Sequence, residues 1–96
     1  MFESMVDVLV SGAVVVYGHH LIPAPATVET ALQAAGGLAR RNQMGPAGPI
    51  VVRRPLGYRK ANEWRFSLND PEPQAWRRFK LHSGDAVIFQ WQVVTT

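Results

Sequence analysis

The stretch TVETALQAAGG, residues Thr27–Gly37, contains the strongest helix signal in the chain. Thr27 is a good N-cap residue for a helix that starts at the next position. Gly36 and Gly37 follow the helical pattern, and glycine adopts the left-handed conformation that ends a helix at little cost. A helix this short is not stable alone, so we predict that it packs on a sheet. Its apolar face consists of Val28, Ala31, Leu32 and Ala35.

Two apolar stretches before this helix predict a pair of strands. The first, Met5–Val10, is rich in residues that favour strands. After a turn-forming Ser-Gly-Ala, the apolar character resumes in Val14–Tyr17 and continues as a short extended segment, His19–Ile22. Pro23 and Pro25 close this segment, because two prolines so close together are incompatible with a helix interior.

The second half of the chain predicts more strands and no further long helix. Leu38–Pro49 has the composition of a linker, Pro55–Gly57 of a turn, and Asp70 with Pro71 of a loop or a single helical turn. The predicted strands are Ile50–Arg53, Trp64–Leu68 and Ala86–Val94. The residues predicted to form the core are Val8, Val10, Val28, Leu32, Ala35, Ile50, Val52, Phe66, Leu81, Val87 and Phe89.

Length and composition restrict the classes of protein that fit. A chain of 96 residues predicts one domain, spanning residues 1–96, with a modest core. Cysteine is absent, which excludes disulfide frameworks, thiol nucleophiles, cysteine-ligated zinc and iron–sulfur clusters. The net charge of +3 is unevenly distributed: residues 1–39 have three acidic and no basic residues (−3), while residues 40–96 have ten basic and four acidic residues (+6). Such asymmetry can create a basic face for an anionic partner, and the alternative is a solvated surface with incidental basic pairs, since no block reaches five or six like charges.

Several motifs occur together in a recognisable order. A strand with a glycine-marked turn, Val10–Val14, precedes the helix that ends in Ala34–Gly37, and an apolar strand then ends at Arg53. The segment Leu81–Phe89 follows, with Gly84 and Asp85 before its apolar part. From about residue 6 to residue 91, the chain resembles the soluble-ligand-binding β-grasp (SLBB) family, whose modules occur in bacterial polysaccharide export proteins.

The resemblance implies an α+β fold of the β-grasp, ubiquitin-like type. We therefore expect a mixed sheet of four to five strands with one main helix, Thr27–Ala35, packed across it. Gly84 would permit a positive φ before the last strand, and Asp85 would accept backbone N–H bonds within that turn. No export signal or membrane span is recognisable, so we expect a cytoplasmic protein, or a periplasmic one if the chain is a domain of a larger export protein.

Basic and aromatic residues alternate in the second half of the chain and define a candidate ligand-binding site. Arginine binds acidic sugars through paired N–H donors, and aromatic faces stack on sugar rings or on nucleic-acid bases. The alternative for the tryptophans is a structural role in the core or at its edge. The candidate binding residues are Arg53, Arg54, Tyr58, Arg59, Trp64 and Arg65, with Arg77, Arg78 and Trp76 as possible additions.

We expect a binding module and not an enzyme, without cofactor or metal. His19 and His20 are adjacent on a predicted strand and would point to opposite faces, so they would not chelate one ion. Ser11 and Ser83 each precede a glycine and are typical turn residues. The preferred ligand is an anionic polysaccharide or its precursor, a choice that rests on the resemblance. The first alternative is a protein-interaction or self-assembly module, and nucleic-acid binding comes third.

Overall fold

The computed structural model describes residues 4–39, 44–45, 49–67 and 74–93. These residues form a small α+β domain that is rich in strands, and its helices are short. The strands are β1 (Met5–Gly12), β2 (Gly18–Pro23), β3 (Met44–Gly45), β4 (Ile50–Gly57), β5 (Lys60–Phe66), β6 (Ala86–Phe89) and β7 (Gln92–Val93). The helices are α1 (Val28–Ala34) and α2 (Gln74–Arg77).

Five of the strands form one mixed sheet in the order β2-β1-β6-β4-β5. The two hairpins, β1–β2 and β4–β5, are antiparallel, and β6 lies between them. β6 runs parallel to β1 and antiparallel to β4. The short strands β3 and β7 form a separate two-stranded sheet. The predicted mixed sheet with a helix is therefore confirmed at this level.

Helix α1 begins and ends where the sequence predicts. The Thr27 side chain accepts a hydrogen bond from the Thr30 backbone N–H (3.2 Å), and the Thr27 N–H donates to Thr30 Oγ1 (2.8 Å). This reciprocal capping box satisfies two backbone donors, with threonine in the place where glutamate or glutamine is usual. At the other end, the N–H of Gly37 donates to the carbonyl of Leu32 (2.9 Å), and Gly36 and Gly37 both have a positive φ.

The core lies on the inner face of the sheet, which contacts α1 and α2. All predicted core residues belong to this cluster, with Leu32 and Phe66 at its partly buried margin. Gly12 lies so close to β6 that a Cβ atom there would clash with the carbonyl oxygen of Phe89. Among the described residues, the buried apolar ones that the sequence does not predict are Ala13, Val14, Ile22, Ala26, Ala31, Val51 and Trp76.

Three predicted elements are wrong in detail. Residues 14–17 form a loop with one isolated bridge from Val14, and the strand that pairs with β1 is the histidine-containing β2. The last predicted strand is interrupted at Gln90 and Trp91, because β6 ends at Phe89. Pro55–Gly57, predicted as a turn, is the end of β4 and contains a register shift. The turn prediction at Asp70 and Pro71 lies outside the described residues.

Candidate binding surface on the β4–β5 hairpin

All six candidate binding residues lie on one hairpin, part of which extends beyond the sheet. Strand β6 pairs with β4 only along Ile50–Arg53. Residues 54–62 pair only with each other within the described part of the chain. We call residues 54–62 the arm, and its turn residues Tyr58 and Arg59 the tip. The structure thus brings the predicted residues together but distributes them between two faces and the tip.

Arg54 forms a bidentate ion pair with Asp85, which is only 1% exposed. Its Nε donates to Asp85 Oδ1 (3.0 Å), and its Nη2 donates to Asp85 Oδ2 (2.9 Å) and to the carbonyl oxygen of Lys80 (3.2 Å). The hydrogen bonds to Asp85 raise the pKa of Arg54 above its usual value, although desolvation opposes this effect. Because its donors are directed at Asp85 and Lys80, Arg54 contributes to the fold more than to a free binding surface.

Asp85 has the role in the turn that the sequence predicts. Its Oδ2 accepts a hydrogen bond from the backbone N–H of His82 (2.8 Å), which closes the turn before β6. Gly84 has a positive φ within the same turn. A buried carboxylate is costly unless it is paired, and Arg54 and the His82 N–H provide that pairing. Asp85 therefore connects the start of β6 to the base of the arm.

Trp64 lies on the same inner face as Arg54 and packs between charged and aromatic neighbours. The Arg54 guanidinium lies 4.9 Å from the Trp64 ring centroid. The Trp64 and Phe79 rings are 5.0 Å apart, and Phe79 also contacts Phe66 edge to face at 5.4 Å. Trp64 is half-buried in this cluster. Its indole contributes to packing at the base of the arm, so it offers less area for stacking on a ligand than the sequence suggests.

The tip is the most exposed aromatic and basic part of the hairpin. Tyr58 is 85% exposed, and the Arg59 guanidinium lies 5.1 Å from its ring centroid. Arg59 has a φ of 59°, the only positive φ at a non-glycine residue in the described chain. A left-handed conformation costs a residue with a Cβ about 1–2 kcal/mol. A strained residue at an exposed position is a reason to look for a functional role there.

The outer face of the hairpin carries two arginines beside one glutamate. Arg53 and Glu63 are directly opposite each other in the β4–β5 register. Arg65 donates to Glu63 Oε1 from Nε (3.2 Å) and approaches it with Nη2 (3.1 Å). All three side chains are exposed. Glu63 therefore offsets part of the positive charge of Arg53 and Arg65, which leaves the tip as the less neutralised basic region.

The structure adds Lys60 to the candidate surface and removes Trp76 from it. Lys60 is not among the predicted binding residues, but it is exposed beside the tip as the first residue of β5. Its position next to Arg59 in the sequence is the feature that could have indicated it. Trp76 is only 4% exposed and packs edge to face on Phe89 at a centroid distance of 6.5 Å. The alternative of a structural role in the core is therefore the correct one for Trp76, and its ring is not available on the surface for stacking on a ligand.

A concave region lies at the end of the sheet opposite the arm. It is a groove of about 480 Å³ between the end of β1, the loop after it and the segment after α1. None of its lining residues is charged, which distinguishes it from the arm. The sequence does not indicate this groove, because Val14–Tyr17 has the apolar pattern of a strand. The lining residues are Ser11, Gly12, Val14, Val15, Tyr17, Ala39 and Trp91.

The histidines of β2 do not form a metal site with each other. His19 Nδ1 lies 3.3 Å from Asp7 Oδ1, while His20 Nε2 lies 2.8 Å from the carbonyl oxygen of Val16. No cluster of three or more potential metal ligands occurs among residues 4–39, 44–45, 49–67 and 74–93. In the same residues, no helix has the length and apolar character needed to cross a membrane.

Comparison with known proteins gives no family for this chain. No protein-family model matches it, and no curated protein sequence matches it. Among the residues described, the hairpin carries the largest set of exposed basic and aromatic side chains.

Proposed function

We propose that this chain is a non-catalytic binding module that recognises an anionic carbohydrate through the tip and the outer face of the β4–β5 hairpin. The observation that carries the proposal is the exposed pair of Tyr58 and Arg59 on an arm that extends past β6. Within the described chain, this pair lies outside the hydrophobic core cluster. The hairpin turn requires a positive φ at Arg59, and an arginine at a position where glycine or asparagine costs less supports a functional role for its side chain.

The chemistry of the tip suits an acidic sugar. A tyrosine ring offers an apolar face to the C–H groups of a pyranose, and its hydroxyl can hydrogen-bond to sugar hydroxyls. A guanidinium binds a carboxylate or sulfate through two parallel N–H donors. Because Arg59 already lies beside the Tyr58 ring, one sugar unit would contact both groups at once.

The distribution of charge favours an anionic ligand over a neutral one. Apart from Arg54, whose charge is offset by Asp85, the arm contains Arg59 and Lys60 and no acidic residue. Arg53 and Arg65 continue the basic surface along the outer face, where Glu63 neutralises part of it. Clustered positive charge raises the local concentration of an anionic polymer and its rate of association.

The proposed fold is a β-grasp fold of the SLBB-like type. In its support, β6 lies between two antiparallel hairpins, runs parallel to β1, and α1 connects the two halves of the sheet. Both glycines after α1 and the turn at Gly84 and Asp85 have the conformations that the resemblance implies. A place in bacterial polysaccharide synthesis or export is the context that this fold proposal suggests.

Retention on an immobilised polyuronic acid tests the proposed function. We expect Tyr58→Ala and Arg59→Ala to elute at clearly lower salt than the unmodified chain, since each removes one half of the tip. Lys80→Ala is the matched control, because it removes the same unit charge from an exposed site outside the hairpin that is not among the candidate binding residues. Equal losses for Arg59→Ala and Lys80→Ala would show that only net charge matters, and would contradict the proposal.

The nucleic-acid alternative is distinguished by competition in the same experiment. If a single-stranded oligonucleotide displaces the protein from the column and still binds at moderate salt, nucleic acid becomes the better ligand. Binding through phosphates alone weakens steeply as salt rises. Arg54→Ala would not discriminate between ligands, because loss of its ion pair with Asp85 destabilises the fold.

A further inference from the structure

The sheet has two edge strands, β2 and β5, and they differ in how well their free edges are protected. In the described chain, β2 pairs only with β1, and β5 pairs only with β4. Strand β2 ends at Pro23, and Pro25 follows soon after. Proline lacks a backbone N–H and is a common means of blocking an edge. Strand β5 contains no proline over its seven residues, so its edge is able to accept another strand.

The side chains of β5 are complementary to a second copy of the same strand. Glu63 and Arg65 are exposed on the outer face, and Trp64 lies between them on the inner face. If two β5 strands align antiparallel with Trp64 at the centre, Glu63 of each copy lies opposite Arg65 of the other. The arrangement forms two identical cross-strand ion pairs, as a two-fold symmetric interface requires.

The geometry points to a symmetric homodimer in which β5 strands of two copies pair antiparallel about Trp64 and join two five-stranded sheets into one. In this register, residues 62, 64 and 66 pair among themselves, and residues 63 and 65 pair with each other. On an edge strand, every second residue directs its backbone N–H and C=O away from the sheet. Backbone hydrogen bonds between the two copies form in this register whether those residues are 62, 64 and 66 or 63 and 65. The two Trp64 side chains would lie next to each other on the inner face.

Neighbouring registers are less favourable because they oppose like charges. Centring the pair on residue 63 would place the two Glu63 side chains directly opposite each other. Centring it on residue 65 would do the same for the two Arg65 side chains. Like charges at directly opposed positions destabilise an antiparallel pair. The charge pattern of β5 thus selects the register about Trp64.

The dimer and the proposed carbohydrate binding share Arg65 on the outer face. The paired stretch, residues 62–66, does not include the tip residues Tyr58 and Arg59, which are the main contacts proposed for the ligand. Self-association is measured without any ligand, so its failure and the failure of the proposed function give different results.

Sedimentation velocity from low micromolar to submillimolar concentration tests the dimer. We expect a monomer–dimer equilibrium for the unmodified chain. Glu63→Arg and Arg65→Glu should each weaken the dimer by about tenfold or more, because symmetry replaces two attractive pairs by two repulsive ones. The double variant, Glu63→Arg with Arg65→Glu, restores complementarity and should recover dimerisation. Leu21→Glu on the other edge strand is the control and should have no effect, and circular dichroism checks that every variant is folded.

Each possible sedimentation result either supports or overturns the β5 dimer. Loss of dimer in both single variants with recovery in the double variant supports the β5 pairing in this register. A monomer at all concentrations overturns the proposal. A dimer that both single variants leave intact, or that Leu21→Glu disrupts, also overturns it, because the contact then lies elsewhere on the molecule.

Discussion

The base and the tip of the β4–β5 hairpin use the same residue types for different purposes. At the base, Arg54 pairs with the buried Asp85, and its guanidinium packs over Trp64. At the tip, Arg59 lies against Tyr58, and that tyrosine is 85% exposed. Both regions contain an arginine and an aromatic ring within contact distance. What distinguishes them is whether the arginine has a buried partner, and this decides whether the pair stabilises the fold or is available to a ligand.

The adjacent residues Arg53 and Arg54 give the largest expected difference. They lie on opposite faces of β4, and only Arg54 contacts a buried carboxylate. Arg54→Ala leaves Asp85 buried without its charge partner, which should reduce the free energy of unfolding by about 3–5 kcal/mol. Arg53→Ala, at an exposed site, should change it by less than about 0.5 kcal/mol. Urea denaturation of the two variants measures both values, and similar losses would contradict the distinction between the two faces.

The aromatic residues of the two regions give a smaller difference of the same kind. Trp64→Ala removes a half-buried ring that contacts Phe79, and should cost about 2 kcal/mol, below the range for a fully buried tryptophan. Tyr58→Ala should leave the stability within about 0.5 kcal/mol, because its ring is almost entirely in solvent. Thermal unfolding of both variants provides the comparison. A marked loss for Tyr58→Ala would mean that the tip also supports the fold.

The backbone of Arg59 gives the smallest expected effect, with the opposite sign. Its φ of 59° is a conformation that glycine adopts without steric cost. Arg59→Gly should therefore raise the free energy of unfolding by about 0.5–1 kcal/mol, while removing the guanidinium from the tip. A variant that gains stability and loses retention on polyuronic acid would show that the residue with the left-handed backbone contributes its side chain to binding and not to stability. Unchanged or reduced stability would indicate that the left-handed conformation is not strained here.

Local features of the sequence are sufficient to predict much of the fold. Thr27 and the two glycines at positions 36 and 37 define both ends of α1 through contacts within a few residues. The alternation of apolar residues predicts the strands that contribute to the core. The hairpin arm is harder to predict from the sequence, because Pro55–Gly57 has the composition of a turn. In the structure, Pro55 is paired with Ala61 within β4, a register shift follows between Pro55 and Gly57, and the chain turns at Tyr58 and Arg59 instead.

The parts that sequence reasoning could not supply depend on contacts between distant residues. Arg54 and Asp85 are 31 positions apart, and nothing in the local pattern around either residue indicates that they pair. Trp76 sits among arginines in the sequence, but its ring is buried against Phe89. The sequence therefore predicts which segment of the chain contains the candidate site. The structure is needed to tell which of its residues stabilise the fold and which are exposed to a ligand.

The affinity of the tip for an acidic sugar polymer is the most direct test of this account. Titration calorimetry with a soluble polyuronic acid should show that Arg59→Ala weakens binding by about tenfold or more, since one charge-assisted pair is worth about 1.5–3 kcal/mol. Lys80→Ala, which removes an exposed charge outside the hairpin, should bind as the unmodified chain does. Equal affinity for Arg59→Ala and the unmodified chain would contradict the claim that the exposed tip of the hairpin is the binding surface.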